Sequence, residues 1–275
     1  MSSSIMGAPL KTIDLRNFGV PLKKAIQMDK KLERFANNNG RIDLGDPHAL
    51  REYNRFIFSE LAGIEVFIPE GFLIPTAGLR IKAVEIIKEV ILNSKKPFKK
   101  GIEIGTGATA INTMLLAKNN FNMIATEIDE DSFYWAQKNI AKNNLFEKIT
   151  LLKSKGELIK GIIDFSSADT LFDFVLTFPP YYETKDTHLV FKDRGFQGRE
   201  KELIGGRGGI EFSINILSEA KEIGIIKYCF IMLDKKFRAE KVFSKGIDLG
   251  WEMNWIKFVA GTRTRFFVFG RNPDF

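Results

Sequence analysis

The sequence lacks the residues that covalent cross-linking or a cysteine-based metal site would need. Cys229 is the only cysteine among 275 residues, so the chain can form no internal disulfide and offers no cysteine-rich zinc site. It lies in the apolar run 228–233, which favours a small core residue. No uncharged apolar run approaches the roughly 18 residues that predict a membrane-spanning helix. Residues 1–10 show no basic segment followed by an apolar block, so we expect no signal peptide and a cytoplasmic protein.

What the sequence does contain is ordinary for a soluble globular chain. Hydrophobic residues make up 44% and charged residues 27% of the total, which excludes a mostly disordered protein. The length fits one α/β domain with an appendage. The formal net charge of +7 favours a polyanionic partner such as nucleic acid, although charge alone does not establish one.

Basic residues are concentrated in three places that could contact RNA phosphates. Residues 1–40 carry seven Lys or Arg against three acids, a net charge of +4, and form either a solvated leader or an RNA-binding arm. The apolar-poor segment 184–208 carries six more. A third group lies near the C-terminus, where the arginines could instead pair with acids. The phosphate-binding candidates are Lys23, Lys24, Lys30, Lys31, Lys192, Arg194, Arg199, Arg207, Arg263 and Arg265.

From residue 101 onward, strand patterns alternate with helical ones. Such alternation indicates βαβ units with right-handed crossovers and a mainly parallel sheet. The last two strands form a closing hairpin. Ahead of this region, Asp46 and Pro47 predict the start of a helix over 46–62, and a second helix reaches about residue 92. The predicted strands are 101–105, 122–127, 149–153, 172–177, 228–233, 251–260 and 265–271.

A glycine-rich turn follows the first of these strands. In Glu103-Ile-Gly-Thr-Gly-Ala-Thr-Ala110, the glycines at 105 and 107 let the backbone approach a ligand closely. Glu127 ends the next strand and can accept both hydroxyls of a ribose. The context favours a nucleoside cofactor over a merely structural turn. Because Gly105-x-Gly107-x-x-Ala110 also fits the dinucleotide fingerprint, a nicotinamide enzyme stays an alternative at this point.

A second motif follows the strand over 172–177. Pro179 and Pro180 stop this strand, and their carbonyls, which have no competing ladder partner, can point into a cleft. Tyr181 would present a flat face beside them. Carbonyl acceptors and an aromatic ring together suit a planar base that carries an amino group, and a nicotinamide enzyme does not need them.

These motifs resemble the class I S-adenosylmethionine methyltransferases that modify exocyclic amines, and more specifically the RlmF family of RNA adenine-N6 methyltransferases. The resemblance runs from about residue 40 to the end of the chain. Beyond the two motifs, it rests on Asp46-Pro47-x-Ala49-x-Arg51, Leu73-Ile-Pro-Thr-x-x-Leu-Arg80, Ala125-Thr-Glu127-x-Asp129, Ala136-x-Lys138-Asn139, Asn143-Asn144-Leu145, Gly208-Gly209-x-Glu211-Phe212 and Gly261-x-Arg263-x-Arg265.

The resemblance implies a Rossmann-like α/β fold with a mainly parallel seven-stranded sheet, a C-terminal β-hairpin and a small N-terminal helical extension. Residues 1–95 would form the basic arm and extension, and 96–275 the methyltransferase domain. The implied cofactor is S-adenosylmethionine, with no metal. Arg80 and Gly105 would contact its methionine end, Glu127 its ribose and Ser154 its adenine edge. The full set of candidate cofactor residues is Arg80, Glu103, Gly105, Thr106, Gly107, Thr109, Glu127 and Ser154.

The implied reaction is methyl transfer to the N6 amine of an adenosine in ribosomal or small structured RNA, with no membrane and no obligate protein partner. The catalytic candidates are Phe178, Pro179, Pro180 and Tyr181. The family places Asn before the two prolines, and Phe178 can neither accept nor donate the hydrogen bonds of that amide. Phe178 therefore leaves open a catalytically silent protein that binds RNA or the cofactor. A protein-amide or small-amine methyltransferase also stays open, because the two-proline pocket suits planar amides, and so does the nicotinamide oxidoreductase.

Overall fold

A mixed eight-stranded sheet forms the centre of the part of the chain that the computed structural model describes, which is residues 6–94, 98–162, 171–182, 198–204 and 208–275. Its strands lie in the order β1-β7-β8-β6-β5-β2-β3-β4. Only β8 runs antiparallel to its neighbours. The strands are β1 Thr12–Asp14, β2 Lys100–Ile104, β3 Asn122–Glu127, β4 Ile149–Lys153, β5 Phe172–Thr177, β6 Ile226–Leu233, β7 Glu252–Ala260 and β8 Arg263–Arg271.

Nine helices of the described residues flank or extend this sheet. Most of them connect consecutive strands of the parallel part, as the alternating pattern predicted. They are α1 Leu22–Met28, α2 Lys30–Glu33, α3 Pro47–Ala62, α4 Ala77–Leu92, α5 Ile111–Lys118, α6 Glu130–Lys142, α7 Glu200–Leu203, α8 Ile210–Ile223 and α9 Lys236–Asp248. No helix in the described ranges combines the length and the apolar character needed to cross a bilayer.

The α/β fold class is confirmed, with one strand more than the seven predicted. The additional strand, β1, runs parallel to β7 and pairs Thr12 with Lys257. It has only three residues, none of them fully buried, so it leaves no apolar pattern in the sequence. The basic N-terminal segment is thereby fixed to the sheet edge. The domain boundary proposed at residue 95 falls in 95–97, outside the described residues, and stays a prediction.

The two central strands, β5 and β6, are covered on both faces of the sheet. Every residue of β5 and β6 is buried, as continuous apolar runs in parallel strands require. Phe174 points into one apolar cluster, and Val175 and Cys229 point into the other. Cys229 is therefore the core residue that the sequence predicted, and burial raises the pKa of its thiol well above the ordinary value.

Helices α3 and α4 bring the N-terminal extension against the carboxyl ends of the strands. Asp46 caps α3 by accepting a hydrogen bond from the His48 amide at 2.9 Å, and Pro47 occupies the first turn. Within α3, the side chain of Asn54 accepts a hydrogen bond from the Ala77 amide at 2.8 Å. This contact fixes the start of α4 and, one turn later, the position of Arg80.

An extended segment between α3 and α4 is held by side-chain amides of α6. Asn139 accepts a hydrogen bond from the Phe67 amide at 2.7 Å and donates to the Phe67 carbonyl at 2.9 Å. Asn143 forms the same pair with the backbone of Glu65 at 2.9 and 3.0 Å. The two side-chain amides thus make the backbone hydrogen bonds that a neighbouring strand would otherwise make. Asn139 also donates a hydrogen bond to the Ala108 carbonyl in the glycine-rich turn at 3.1 Å.

We expect Asn139→Ala to lower the free energy of unfolding by about 1–3 kcal/mol, because it removes the partner of two part-buried backbone groups of Phe67 and of the buried Ala108 carbonyl. Lys138→Ala is the matched control, since Lys138 is the exposed neighbour on the same helix. Denaturant unfolding of both variants measures the difference. Equal stabilities would show that the amide pairs contribute nothing.

Candidate active site

The glycine-rich turn joins β2 to α5 and carries two glycines in the left-handed region, with Ala110 in the same region just before α5. Gly105 has φ +73° and Gly107 has φ +70°, and a Cβ at either position would meet nothing within 4 Å. The glycines are therefore needed for their backbone conformation and not for space. Glu127, at the end of β3, accepts a hydrogen bond from the Gly107 amide at 2.8 Å and holds the turn in place.

A cavity of about 170 Å³ opens beside this turn. Six of the eight predicted cofactor residues line it, namely Arg80, Gly105, Thr106, Gly107, Thr109 and Glu127. Burial raises the pKa of Glu127, although its carboxylate accepts three backbone hydrogen bonds. Asp129 and Phe212 also line this cavity. Both belong to motifs that carry the resemblance, but neither was predicted to contact the cofactor.

Glu103 does not line this cavity, contrary to the sequence-based assignment. Its carboxylate points into the protein and accepts hydrogen bonds from the Thr106 hydroxyl at 2.7 Å, the Asn112 amide at 2.7 Å and the Thr113 backbone at 3.1 Å. Glu103 thus anchors the turn to α5. The sequence motif alone does not show whether the Glu103 side chain points into the protein or toward a ligand.

Ser154 also lies outside the lining of the cavity. Its backbone amide donates to the Glu127 carbonyl at 2.9 Å, which continues the pairing of β3 with β4. Its hydroxyl donates to the Glu157 carbonyl at 3.0 Å and closes a local turn. The hydroxyl is therefore engaged within its own loop, and its predicted contact with an adenine edge stays a prediction.

We expect Glu103→Gln to fold and to reduce the pH dependence of stability. Burial raises the pKa of Glu103, so the folded state binds its proton more tightly than the unfolded state. The free energy of unfolding of the natural protein therefore falls as the pH rises from the ordinary glutamate pKa through the raised one. The glutamine variant lacks this contribution. Thermal unfolding between pH 4.5 and 8 measures the difference, and parallel curves would contradict the assignment.

The end of β5 brings an aromatic ring and a guanidinium together. The Thr177 hydroxyl donates to the Ile104 carbonyl at 3.0 Å, which joins the ends of β5 and β2. At the next residue, the Phe178 ring stacks on Arg80, with 3.7 Å between the guanidinium carbon and the ring centroid. The buried Nε of Arg80 has no hydrogen-bond partner among the described residues. Arg80 therefore presents an unused donor where the two strands end.

A second cavity, of about 260 Å³, lies on the other side of this stacked pair. Arg80, Phe178 and Pro180 line both cavities. Pro179 and Tyr181 line the second one, so all four catalytic candidates border it. The hydroxyl of Tyr181 is buried without a hydrogen-bond partner among the described residues, and burial raises its pKa. The two cavities meet where the sequence predicted cofactor and target base to meet.

The backbone of the two-proline motif contacts the N-terminus of α8 and a buried arginine. A Cβ built on Gly209 would lie 2.9 Å from the Pro180 carbonyl oxygen, so this oxygen lies beside the start of α8. The carbonyl of Tyr181 accepts a hydrogen bond from the buried guanidinium of Arg238. The expectation that the proline carbonyls point into a cleft stays a prediction.

Arg238 is a site residue that sequence reasoning missed. Asp234 receives two hydrogen bonds from its Nη1, at 2.9 and 3.1 Å, and fixes the guanidinium under the motif. A Cβ on Gly208 would lie 2.2 Å from the guanidinium carbon, which explains the glycine there. The Asp234-x-x-x-Arg238 spacing at the start of a helix is the signal that could have pointed to this contact.

The basic candidates fall into groups with different environments. Lys23, Lys24, Lys30 and Lys31 are exposed on or beside α1 and α2. Arg263 is exposed and Arg265 is half-buried, and both border the second cavity. Lys192, Arg194 and Arg207 lie outside the described residues.

Arg199 differs from its prediction as a phosphate ligand. Its guanidinium donates to Asp129, to Asp131 at 2.8 Å and to the Ser132 hydroxyl at 2.9 Å, and it stacks on Phe72. These carboxylates neutralise its charge and fasten α7 to the first turn of α6. A phosphate would have to displace them.

Similarity to known proteins agrees with this architecture. The chain is 33% identical over 267 residues to a Methanocaldococcus jannaschii protein that carries a provisional methyltransferase name, covering 92% of this chain and 98% of that protein. It is 30% identical over 217 residues to the U6 small nuclear RNA (adenine-(43)-N(6))-methyltransferase of Schizosaccharomyces pombe, covering 75% of this chain and 56% of that protein. The chain thus spans little more than half of the yeast relative.

The fold itself has solved counterparts. The crystal structure of the human METTL16 catalytic domain in complex with the MAT2A 3′UTR hairpin 1 superposes with a TM-score of 0.81 at 24% identity, covering 92% of each chain. The model of a family described as RNA methyltransferase matches residues 17–224, and the chain therefore belongs to that RNA methyltransferase family.

Proposed function

We propose that this protein transfers a methyl group from S-adenosylmethionine to the N6 amine of an adenosine in RNA. The observation that carries the proposal is the meeting of the two cavities at Arg80 and Phe178. One cavity has the glycine turn and carboxylate of a nucleoside site, and the other has the two prolines and Tyr181. A methyl donor bound in the first cavity and a planar base bound in the second cavity would meet at the residues that line both cavities.

The residues of the first cavity fit the proposed cofactor. The guanidinium of Arg80 is positively charged, and its Nε has no hydrogen-bond partner among the described residues. It therefore suits the carboxylate of a methionine group. Glu127 accepts three backbone hydrogen bonds and has one acceptor site left, on Oε2, for a ribose hydroxyl. The glycines keep side chains away from the space beside the turn. S-adenosylmethionine supplies an electrophilic methyl on a positively charged sulfur.

The residues of the second cavity would hold and orient the base. An adenine amine is a weak nucleophile because its lone pair is delocalised into the ring, so orientation contributes more than a strong base does. Tyr181 would stack on an adenine splayed out of its helix or loop. Arg238 fixes the tyrosine by binding its carbonyl. The name of the fission yeast relative, an adenine-N6 methyltransferase acting on U6 small nuclear RNA, supports this choice of base.

Alternative acceptors are tested by following the methyl group itself. Labelled S-adenosylmethionine is incubated with the protein and total RNA, with a protein extract or with a mixture of small amines. The proposal expects the label in RNA. Label in protein alone would favour an amide methyltransferase, and no cofactor binding in calorimetry would favour another class of enzyme. Ribosomal or small structured RNA as the substrate, and a cytoplasmic location, stay predictions.

RNA binding should weaken as salt rises, because cations that neutralise phosphates release condensed counterions. We expect the double variant Lys23→Gln/Lys24→Gln to bind RNA more weakly and to reduce the slope of log affinity against log salt by up to about 2. Lys241→Gln/Lys245→Gln on α9, which removes two exposed positive charges elsewhere, is the charge-matched control. An affinity that barely changes between low and high salt would contradict the phosphate contacts.

A further inference from the structure

Glu202, in the short helix α7, is a nearly buried carboxylate whose two oxygens differ in their surroundings. Its side chain is only 10% exposed. Oε2 accepts hydrogen bonds from the Arg199 amide at 3.0 Å and the Leu73 amide at 3.1 Å. No described residue donates a hydrogen bond to Oε1. One oxygen therefore fixes the side chain, and the other keeps its acceptor capacity.

Glu202 also lies where the two cavities meet. It lines the cavity beside the glycine turn as well as the cavity beside the two prolines, as Arg80 and Phe178 do. It is the one described carboxylate common to both linings. Burial raises the pKa of Glu202, and nearby Glu127 adds to the shift while Arg199 opposes it. The carboxylate is therefore a stronger proton acceptor than an exposed glutamate.

The backbone ties Glu202 to the two-proline motif. The Tyr182 amide donates to the Leu203 carbonyl at 2.9 Å, and Tyr182 forms a parallel bridge with Ile204. The residue after Glu202 is thus hydrogen-bonded to the residue after Tyr181. The hydrogen bond from the Leu73 amide connects Glu202 to another residue that lines both cavities.

The motif itself offers an amine no side-chain acceptor at position 178. The Phe178 side chain has no polar atom, the Tyr181 carbonyl is bound by Arg238, and the Pro180 carbonyl oxygen lies beside Gly209, which leaves the backbone carbonyls of Phe178 and Pro179. We propose that Glu202 is a catalytic residue that accepts a hydrogen bond from one N–H of the exocyclic amine of the target adenine, while an amide at position 178 would accept from the other N–H. This inference rests on the proposed function.

The reaction balances with Glu202 in this role. The nitrogen lone pair forms a bond to the donor methyl carbon, and the carbon–sulfur bond breaks with its electron pair left on sulfur, which becomes a neutral thioether. The methylated nitrogen then loses a proton to the Glu202 carboxylate, which passes it to solvent. The products are the N6-methylated base, the thioether and one proton.

Glu202→Gln is the informative variant, because its amide oxygen can still accept from Leu73 and Arg199 while its NH₂ replaces the free acceptor with a donor. We expect kcat for RNA methylation to fall by about 10–100-fold, with the KM for S-adenosylmethionine within twofold of the natural value. In a Phe178→Asn background the loss should be of similar size, since the amide oxygen and the carboxylate would accept from different N–H groups of the amine. Glu200→Gln, an exposed neighbour in the same helix, is the control.

A binding measurement separates this inference from the proposed function. With S-adenosylhomocysteine present, adenosine and purine riboside, which lacks the amine, are titrated into the full-length protein. We expect about tenfold tighter binding of adenosine, and a ratio near 1 for Glu202→Gln. No preference in the natural protein, an unchanged ratio in the variant, an unchanged kcat or a rise in cofactor KM alone would each overturn the role of Glu202. Retained preference without methyl transfer to RNA, by the natural protein or by Phe178→Asn, would overturn the proposed function instead.

Discussion

Phe178→Asn should increase the rate of RNA methylation by about 10–100-fold. A hydrogen bond to the reacting amine contributes about 1–3 kcal/mol, and the new amide oxygen would supply one at the point where the two cavities meet. The substitution also removes the ring that stacks on Arg80 at 3.7 Å and leaves the guanidinium free to bind a carboxylate. We therefore expect tighter binding of S-adenosylmethionine as well.

The control for this prediction is Phe178→Leu, which removes the stacking without adding an amide. Both variants should lose up to about 1–2 kcal/mol of stability from the lost cation–π contact. Only the asparagine variant should gain activity. Initial rates with saturating cofactor and RNA measure the effect, and equal rates for asparagine and leucine would show that the amide is not what the site lacks.

Gly209→Ala should reduce methyl transfer by at least 100-fold. The new Cβ would lie 2.9 Å from the Pro180 carbonyl oxygen and 3.0 Å from Pro179 Cβ, and both neighbours belong to the rigid two-proline turn. The turn would have to move, and Tyr181 with it. Gly209 also has φ +77°, so alanine adds backbone strain. Misplacement of reacting groups by about 1 Å is enough for a loss of this size.

Gly224→Ala is the control for this prediction, because it introduces the left-handed backbone strain without a steric contact. Gly224 ends the same helix with φ +69°, and a Cβ there would meet nothing within 4 Å. Both variants should lose about 1 kcal/mol of stability from the left-handed backbone. Only Gly209→Ala should lose activity while it still binds the cofactor in calorimetry. Full activity of Gly209→Ala would show that the two-proline turn is not positioned by this contact.

The features that were predictable from the sequence are those with local causes. The runs over 172–177 and 228–233 predicted buried strands because their apolar residues are continuous, and both are fully buried. The turn at Gly105 and Gly107 and the acid at Glu127 were found because they occupy fixed positions in one βαβ unit. The three-residue strand β1 was missed because its only partner, β7, lies more than 240 residues away.

The errors at the site have a common physical reason. The motif containing Glu103 does not specify which way the side chain points, and only the donors of α5 turn it inward. Arg199 was named as a phosphate-binding candidate because its partners at the start of α6 lie about 70 residues earlier and could not be seen from the local sequence. Arg238 and Glu202 act through contacts with residues 57 and 129 positions away, which no local pattern records.

The chemical identity of the product tests the central claim most directly. RNA treated with the protein and methyl-labelled S-adenosylmethionine is digested to nucleosides, which are separated and identified by mass. We predict label in N6-methyladenosine, present with the natural protein and increased with Phe178→Asn. Label confined to another nucleoside, or none with either protein, would contradict the assignment of this chain as an adenine-N6 methyltransferase.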